Sequence, residues 1–243
     1  MRCYIPSNEW SSDRLIARDD EAHHLIHVLR VKPGQPVEAF DGRGLSASAE
    51  IDLIQKHRVE MRVLQQREQP RPPVRITLIQ AVPREQKMDI VIQKAVELGV
   101  SAIVPVITRH SLVRLDKEGG EAKQIRWDRI AINAAKQCGS VWLPEFSPVQ
   151  SLEDFLKTMP RYDLLLSCSL EADAQPIKQV LRANRAQPLK SIAFIVGPEG
   201  DFNQEERAAI RQSGARAVAL GDLVLRTETA ALFALSVLKY EFC

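Results

Sequence analysis

The sequence lacks the glycine motifs of the common nucleotide-binding folds, and it lacks paired cysteines. Each absence removes a class of protein. No GxGxxG follows a candidate strand: Gly42 and Gly44 stand in a β-rich segment, with Ala47 where the third glycine would fall. GxxxxGK(S/T) and GxSxG are also missing. Dinucleotide folds, P-loop nucleotidases and α/β-hydrolases need those backbone cradles and nucleophile elbows, so they lose support. The four cysteines (Cys3, Cys138, Cys168 and Cys243) are scattered without CxxC spacing, which points to neither a zinc site nor a disulfide framework. No stretch approaches the ~18 apolar residues of a membrane span. Residues 1–6 hold no signal-peptide core, so a reduced, cytoplasmic protein with no membrane partner is expected. The formal net charge is only +2, so a polyanionic partner must be argued from local clusters.

What is present divides near residue 70. Residues 1–70 read as a small β-rich module. Residues 37–40 lead into the turn Asp41-Gly42-Arg43-Gly44, and residues 46–53 and 59–64 alternate apolar and polar as half-buried strands do. A short helix is expected over 20–29. Residues 65–73 have no apolar side chain and three prolines, which is linker chemistry. From residue 74 to 243 strands and helices alternate. Strands are expected over 74–82, 102–107, 162–167, 192–196 and 217–220. Helices are expected over 85–98, 121–138, 152–157, 176–184 and 203–212, with a last one from Thr227. Asn203 and Glu206 stand as a capping box requires. Such alternation implies an α/β domain with a largely parallel sheet covered on both faces.

Two glycine-bearing turns follow the last two strands: Gly197-Pro198-Glu199-Gly200-Asp201, and Gly221 with Leu225-Arg226-Thr227-Glu228-Thr229. Strand ends that open at helix starts are where α/β proteins bind small ligands, largely through main chain. The first turn also reads as an ordinary strand-to-helix connection. It is not the KH-type GxxG, which joins two helices. In the second, Thr227 suits an N-cap and Glu228 suits the helix dipole. Yet the following helix is apolar nearly all round, which requires burial in a core or a subunit interface and leaves Arg226 and Glu228 in a partly dry place.

His23 and His27 are four apart, but without HExxH or a nearby cysteine they read as surface or core histidines, and no metal is expected. Basic residues gather at Lys56, Arg58, Arg62, Arg67, Arg71 and Arg75, and again at Arg109, His110, Arg114, Lys117, Lys123, Arg126 and Arg129. Either group is explained by a solvated face, and the two together by a surface that tracks a phosphate backbone.

These residues resemble one family. Gly197-Pro198-Glu199-Gly200, Leu220-Gly221 and Leu225-Arg226-Thr227-Glu228-Thr229-Ala230 look like the signature of the RsmE group, small-subunit (16S) ribosomal RNA (uracil-N3) methyltransferases of the SPOUT superfamily. Residues 93–100, residues 134–139, and His27 to Arg30 with Phe40-Asp41-Gly42 resemble further blocks, so the likeness spans the chain. Two positions depart from it: Asp201 where the family usually has glycine, and Ser140 where it commonly has arginine.

The resemblance implies a PUA-like RNA-binding β-barrel over 1–70, then a SPOUT domain over 74–243 with a carboxy-terminal trefoil knot, assembled as a homodimer. It implies S-adenosylmethionine as cofactor, held at Leu166, Gly197, Glu199, Gly200, Leu220, Gly221, Leu225 and Thr227. Uracil N3 must lose a proton before it attacks, which assigns acid–base work to Glu228 and stabilisation of negative charge to Arg226. Arg30 and Arg109 are the expected contacts to 16S rRNA or the small subunit. A ribose 2′-O methyltransferase and a non-catalytic RNA-binding module are the alternatives.

Overall fold

The computed structural model describes residues 1–84, 87–111, 117–186 and 188–243, with backbone alone at 117 and 118. Glu85, expected to begin a helix, and Arg114, from the second basic group, lie outside the described residues. The chain divides into two units, Met1–Arg71 with Ile132–Leu143, and Pro72–Ala131 with Pro144–Cys243.

The first unit holds β1 (Arg2–Tyr4), β2 (Arg14–Arg18), α1 (Asp19–His23), a π-helical turn (His24–Val28), β3 (Pro36–Phe40), β4 (Leu45–Gln55) and β5 (Arg58–Glu68). Its sheet runs β1-β3-β4-β5-β2, antiparallel except for β1 with β3. Alternation sets the register: Ala47, Ala49 and Ile51 of β4 turn inward with Val37, Ala39, Val59 and Met61, around Leu15 and Leu25. The β3–β4 turn forms as its composition dictates. Asp41 Oδ1 accepts from Arg43 N (2.7 Å) and Leu45 N (3.0 Å), while Gly42 and Gly44 take φ of 74° and 102°. Strand β5 runs four residues beyond the expected 59–64, because residues 65–68 pair with 45–48 of β4; the linker is correspondingly shorter.

Residues 132–143, which the sequence reading placed with the later domain, fall in the first unit. Three contacts tie them there. Arg2 Nη1 donates to Ala135 O (3.0 Å), Lys136 Nζ pairs with Glu21 Oε2 (2.7 Å), and Gly44 N donates to Val141 O (3.1 Å).

The second unit contains β6 (Arg75–Ala81), α2 (Lys87–Glu97), β7 (Ala102–Ile107), α3 (Lys117–Cys138, the division falling after Ala131), β8 (Glu145–Phe146), β9 (Gln150–Ser151), α4 (Leu152–Thr158), β10 (Leu164–Cys168), β11 (Gln175–Pro176), α5 (Ile177–Asn184), β12 (Ser191–Val196), α6 (Gln204–Gln212), β13 (Arg216–Ala219) and α7 (Thr227–Phe242). Every pairing in its sheet is parallel, in the order β11-β13-β10-β12-β6-β7-β8, with β9 also on β7.

Helices cover both faces of this sheet. On one, Ile79, Ala81 and Ile195 pack with Leu152 and Phe155 of α4 and Ile210 of α6. On the other, α7 lies on β6 and β12 and against α2. Each fully buried Leu, Ile or Phe side chain contributes roughly 1.5–3 kcal/mol, and the central strands β6 and β12 hold Ile76, Leu78, Ile79 and Phe194 among the largest of them. The expected capping box is present: Asn203 accepts from Glu206 N (2.8 Å) and Asn203 N donates to Glu206 Oε2 (2.9 Å). No helix among the described residues is long and apolar enough to cross a membrane.

Candidate active site

Three adjacent parallel strands, β13, β10 and β12, deliver their carboxyl ends to one pocket of about 760 Å³. Its walls come from Cys168 to Glu171 after β10, from Val196 to Glu199 and Asp201 after β12, and from Ala219 through Thr227 after β13, with Lys87 and Ala230 completing it. The two glycine turns singled out in the sequence therefore face each other. Thr227 fastens them: its hydroxyl donates to Gly197 O (2.7 Å) and accepts from the buried Gln80 Nε2 (3.0 Å). Thr227 is the first helical residue and not the N-cap; Arg226 occupies the cap position with no side-chain cap bond. The hydroxyl is spent on joining loops instead of capping a helix. Thr227→Val keeps the shape but orphans the Gly197 carbonyl. The expected loss of stability is about 1–3 kcal/mol, read by chemical denaturation, with Thr227→Ser retaining the wild-type value.

The turn after β12 explains the first departure from the family pattern. Asp201 has φ of +57°, the left-handed region in which glycine is unstrained. Aspartate is held there because Oδ1 accepts from Phe202 N (2.7 Å) and Oδ2 pairs with Arg207 Nη2 (3.0 Å). Alanine at 201 loses both contacts and keeps the strain, whereas glycine loses the contacts but relieves it. The glycine variant is expected to be the more stable by about 1 kcal/mol in thermal denaturation; equal melting temperatures would show that backbone strain is not what the position selects. Ser140, the second departure, is occupied locally: its hydroxyl donates to Trp142 O (2.7 Å) and accepts from Trp142 N (3.2 Å).

Of the expected cofactor residues, Gly197, Glu199, Leu220, Gly221, Leu225 and Thr227 line the pocket. Leu166 does not. It is fully buried in mid-strand, and the pocket begins two residues later at Cys168, where β10 ends. Gly200 is also outside the lining. What approaches it closely is His110, whose Cβ would lie 3.3 Å from a Cβ added there, and whose Nδ1 is 3.1 Å from Gly200 O and 2.9 Å from Asp201 O. Sequence reasoning missed Lys87, Ser169, Leu170 and Glu171. The strand-end rule, applied to the expected strand over 162–167, points to the last three; nothing local marks Lys87.

Lys87, Glu199 and Arg226 bring charge to the pocket lining. Glu199 Oε1 accepts from Lys87 Nζ (2.9 Å) and Arg84 N (3.2 Å). Burial pushes the Glu199 carboxyl up, but the Lys87 ammonium and the two backbone amides outweigh it and hold the group below its usual range. Arg226 lines the pocket, is exposed, and has no hydrogen bond or ion pair through its side chain among the described residues. Glu228 is not in the lining. It is half-buried, and its Oε2 is enclosed without a hydrogen-bonding partner. Cys168 is half-buried on the pocket wall, and burial pushes its thiol up to about 12, which disfavours the thiolate.

Of the expected RNA contacts, Arg30 is exposed in the first unit with φ of +51°, just after the π-helical turn. Arg109, in the second unit, keeps a long contact to Glu205 (3.5 Å) with its side chain 72% exposed. Much of the basic surface is internally neutralised. Arg58 pairs with Glu60, Arg62 with Glu50, Arg75 with Glu145 and Arg126 with Asp89. No cluster of three or more His, Cys, Asp or Glu residues able to hold a metal is present among the described residues.

The pocket suits a nucleoside-sized ligand read mostly by main chain. Residues 221–225 make no hydrogen bonds, through backbone or side chain, among the described residues, so their N–H and C=O groups are available, and Leu170, Pro198, Leu220 and Leu225 supply apolar walls. An S-adenosylmethionine molecule fits these features: main-chain donors and acceptors for adenine and ribose, and Asp222, without an ion pair among the described residues, on the wall for a cationic group.

Fold and pocket together define an α/β protein that binds a small ligand at the carboxyl edge of a parallel sheet. Residues 70–239 match the RNA methyltransferase domain family and residues 17–64 the RNA methyltransferase PUA domain. A protein of Legionella pneumophila, solved with bound cofactor SAM, is 34% identical, with a TM-score of 0.88 over 98% of this chain and 96% of that one. The ribosomal RNA small subunit methyltransferase E of Neisseria gonorrhoeae, solved with S-adenosylmethionine, is 34% identical at a TM-score of 0.86 over the same shares. The protein of that name from Bacillus subtilis is 29% identical over 91% of this chain and 88% of its own length. The chain belongs to the RNA methyltransferase family, in the ribosomal RNA small subunit methyltransferase E group.

Proposed function

We infer that the protein transfers a methyl group from S-adenosylmethionine to N3 of a uridine in 16S rRNA of the small ribosomal subunit. The observation that supports this reading is the junction of the two glycine turns through Thr227 at a main-chain-lined pocket whose lining includes Arg226. The cofactor supplies an electrophilic methyl group next to a sulfonium; the chain binds, orients and excludes water around it.

Gly197, Leu220, Gly221 and Leu225 would hold the nucleoside through backbone groups. Glu228 would take the N3 proton, since its enclosed Oε2 has no competing partner. Arg226, free of any ion pair among the described residues, would meet the charge that develops on the ring oxygens. Holding N3, methyl carbon and sulfur in line supplies roughly 7–11 kcal/mol of such a barrier. The exposed Arg30 and Arg109 serve RNA binding in this reading.

Two features of assembly follow. The apolar residues Phe233 and Tyr240 of α7 and Ile90 of α2 are exposed on two helices that pack together, which supports a homodimer through that face. From β13, separated from β12 by β10, the chain returns as α7 to lie on β6 and β12; that return supports the trefoil knot implied by the family. The domain division implied by the sequence becomes a PUA-like RNA-binding unit and a SPOUT catalytic unit. A cytoplasmic site of action accords with an rRNA substrate.

The test is nucleoside mass spectrometry of rRNA after small subunits are incubated with the protein and methyl-deuterated S-adenosylmethionine. Labelled N3-methyluridine is expected. Label in 2′-O-methylribose, or none, would overturn the reading.

A further inference from the structure

Lys87 is a pocket residue that no motif announces. The described part of α2 begins with it. Its side chain reaches Glu199 across the pocket wall, at 2.9 Å, with the two side chains only 27% and 28% exposed. Glu199 is itself fixed by Arg84 N. The ammonium also lies within the fields of Glu228, which favours its charge, and of Arg226, which opposes it. Lys87 and Arg226 are the two cations on the pocket's lining among the described residues.

The chemistry of uracil asks for two cations. When N3 loses its proton, the negative charge spreads to both ring carbonyl oxygens, one on each side of N3. A single guanidinium on one side leaves the other oxygen unserved.

We propose that Lys87 is a catalytic residue that binds one carbonyl oxygen of the target uracil while Arg226 binds the other, with Glu199 holding the ammonium in place. The proposal rests on the N3-methylation reading above. In the step it serves, the N3–H bond breaks and the proton passes to the Glu228 carboxylate. The electron pair left on N3 forms the bond to the methyl carbon. The methyl–sulfur pair stays on sulfur, which leaves as a neutral thioether.

The test compares Lys87→Met and Lys87→Arg with wild type. Single-turnover rates are measured with saturating S-adenosylmethionine, on small subunits lacking the modification and carrying either uridine or 5-fluorouridine. Fluorine acidifies N3–H, so it lessens the need for a stabilising cation. Lys87→Met is expected to lose about 100-fold in rate on uridine, with S-adenosylmethionine affinity unchanged by calorimetry, and the defect is expected to shrink severalfold on 5-fluorouridine. The rate–pH profile should move to higher pH, because the unassisted uracil ionises later. Lys87→Arg, which keeps the charge should the methionine variant fold poorly, is expected to recover most of the rate.

A weakened cofactor affinity with a normal saturated rate would overturn the proposal, by assigning Lys87 to the cofactor carboxylate. So would a defect equal on both substrates with an unshifted profile, the mark of a merely structural pair. If wild type itself forms no N3-methyluridine, the underlying reading has failed; if wild type forms it and Lys87→Met matches its rate, only the role of Lys87 has.

Discussion

Glutamine at position 228 is expected to lower the single-turnover methylation rate by about 10²–10⁴-fold while leaving S-adenosylmethionine affinity unchanged. The substitution preserves shape and removes the ability to accept a proton at neutral pH. Among the described residues no hydrogen bond or ion pair occupies the carboxylate: Oε2 is enclosed and unpartnered, and the side chain adds a favourable field at Lys87. An enclosed, unsatisfied carboxylate oxygen is costly and asks for a reason. The structural alternative is a helix-dipole contact at the second residue of α7, worth about 0.3–1 kcal/mol. That alternative moves the melting temperature slightly and leaves the rate alone. Single-turnover kinetics beside thermal denaturation separates them, and an unchanged rate removes Glu228 from the chemistry.

Alanine at position 44 is expected to destabilise the first unit by about 2–6 kcal/mol, from backbone strain of about 1–3 and overpacking of similar size. Gly44 has φ of +102°, and an added Cβ would stand 2.3 Å from Trp142 Cζ2 and 2.8 Å from Gln69 O. The Gly44 backbone cannot draw back freely from the indole, because it is tied on both sides. Gly44 N donates to Val141 O (3.1 Å), and Gly44 O accepts from Gln69 N (2.8 Å). Against a total stability of about 5–15 kcal/mol this is a large fraction. Urea denaturation followed by tryptophan fluorescence reads it directly. A midpoint close to wild type would mean the Asp41-Gly42-Arg43-Gly44 turn tolerates a side chain and its glycines are incidental.

The alternating grammar of the second unit was legible because its elements are long and strongly punctuated. Strand β7 spans the expected 102–107, and the capping box of α6 follows from two residues three apart. Strands β1 and β2 were not seen, since three to five residues carry too little alternation, and the two-residue strands β8, β9 and β11 carry none. The π-helical turn at His24–Val28 has no sequence signature that would separate it from α-helix. Residues 65–68 read as linker because both of their faces are wet; only pairing with β4 keeps them extended. The membership of residues 132–143 in the first unit was invisible because helical periodicity shows which face is buried, never against what.

The site divides the same way. Glycine turns at strand ends are a local signal, and they led to the pocket. Leu166, which the resemblance implies, lies inside β10, two residues before the first lining residue Cys168. Lys87 was beyond reach, since its partner Glu199 lies 112 residues away and only the fold brings them together.

A crystal structure of the protein soaked with S-adenosylmethionine tests the central claim most directly. The adenine and ribose are expected against the backbone of residues 220–225 and Gly197, with the methyl group turned toward Arg226 and Glu228. A cofactor bound away from those two turns, or no density at all at saturating concentration, would contradict the account.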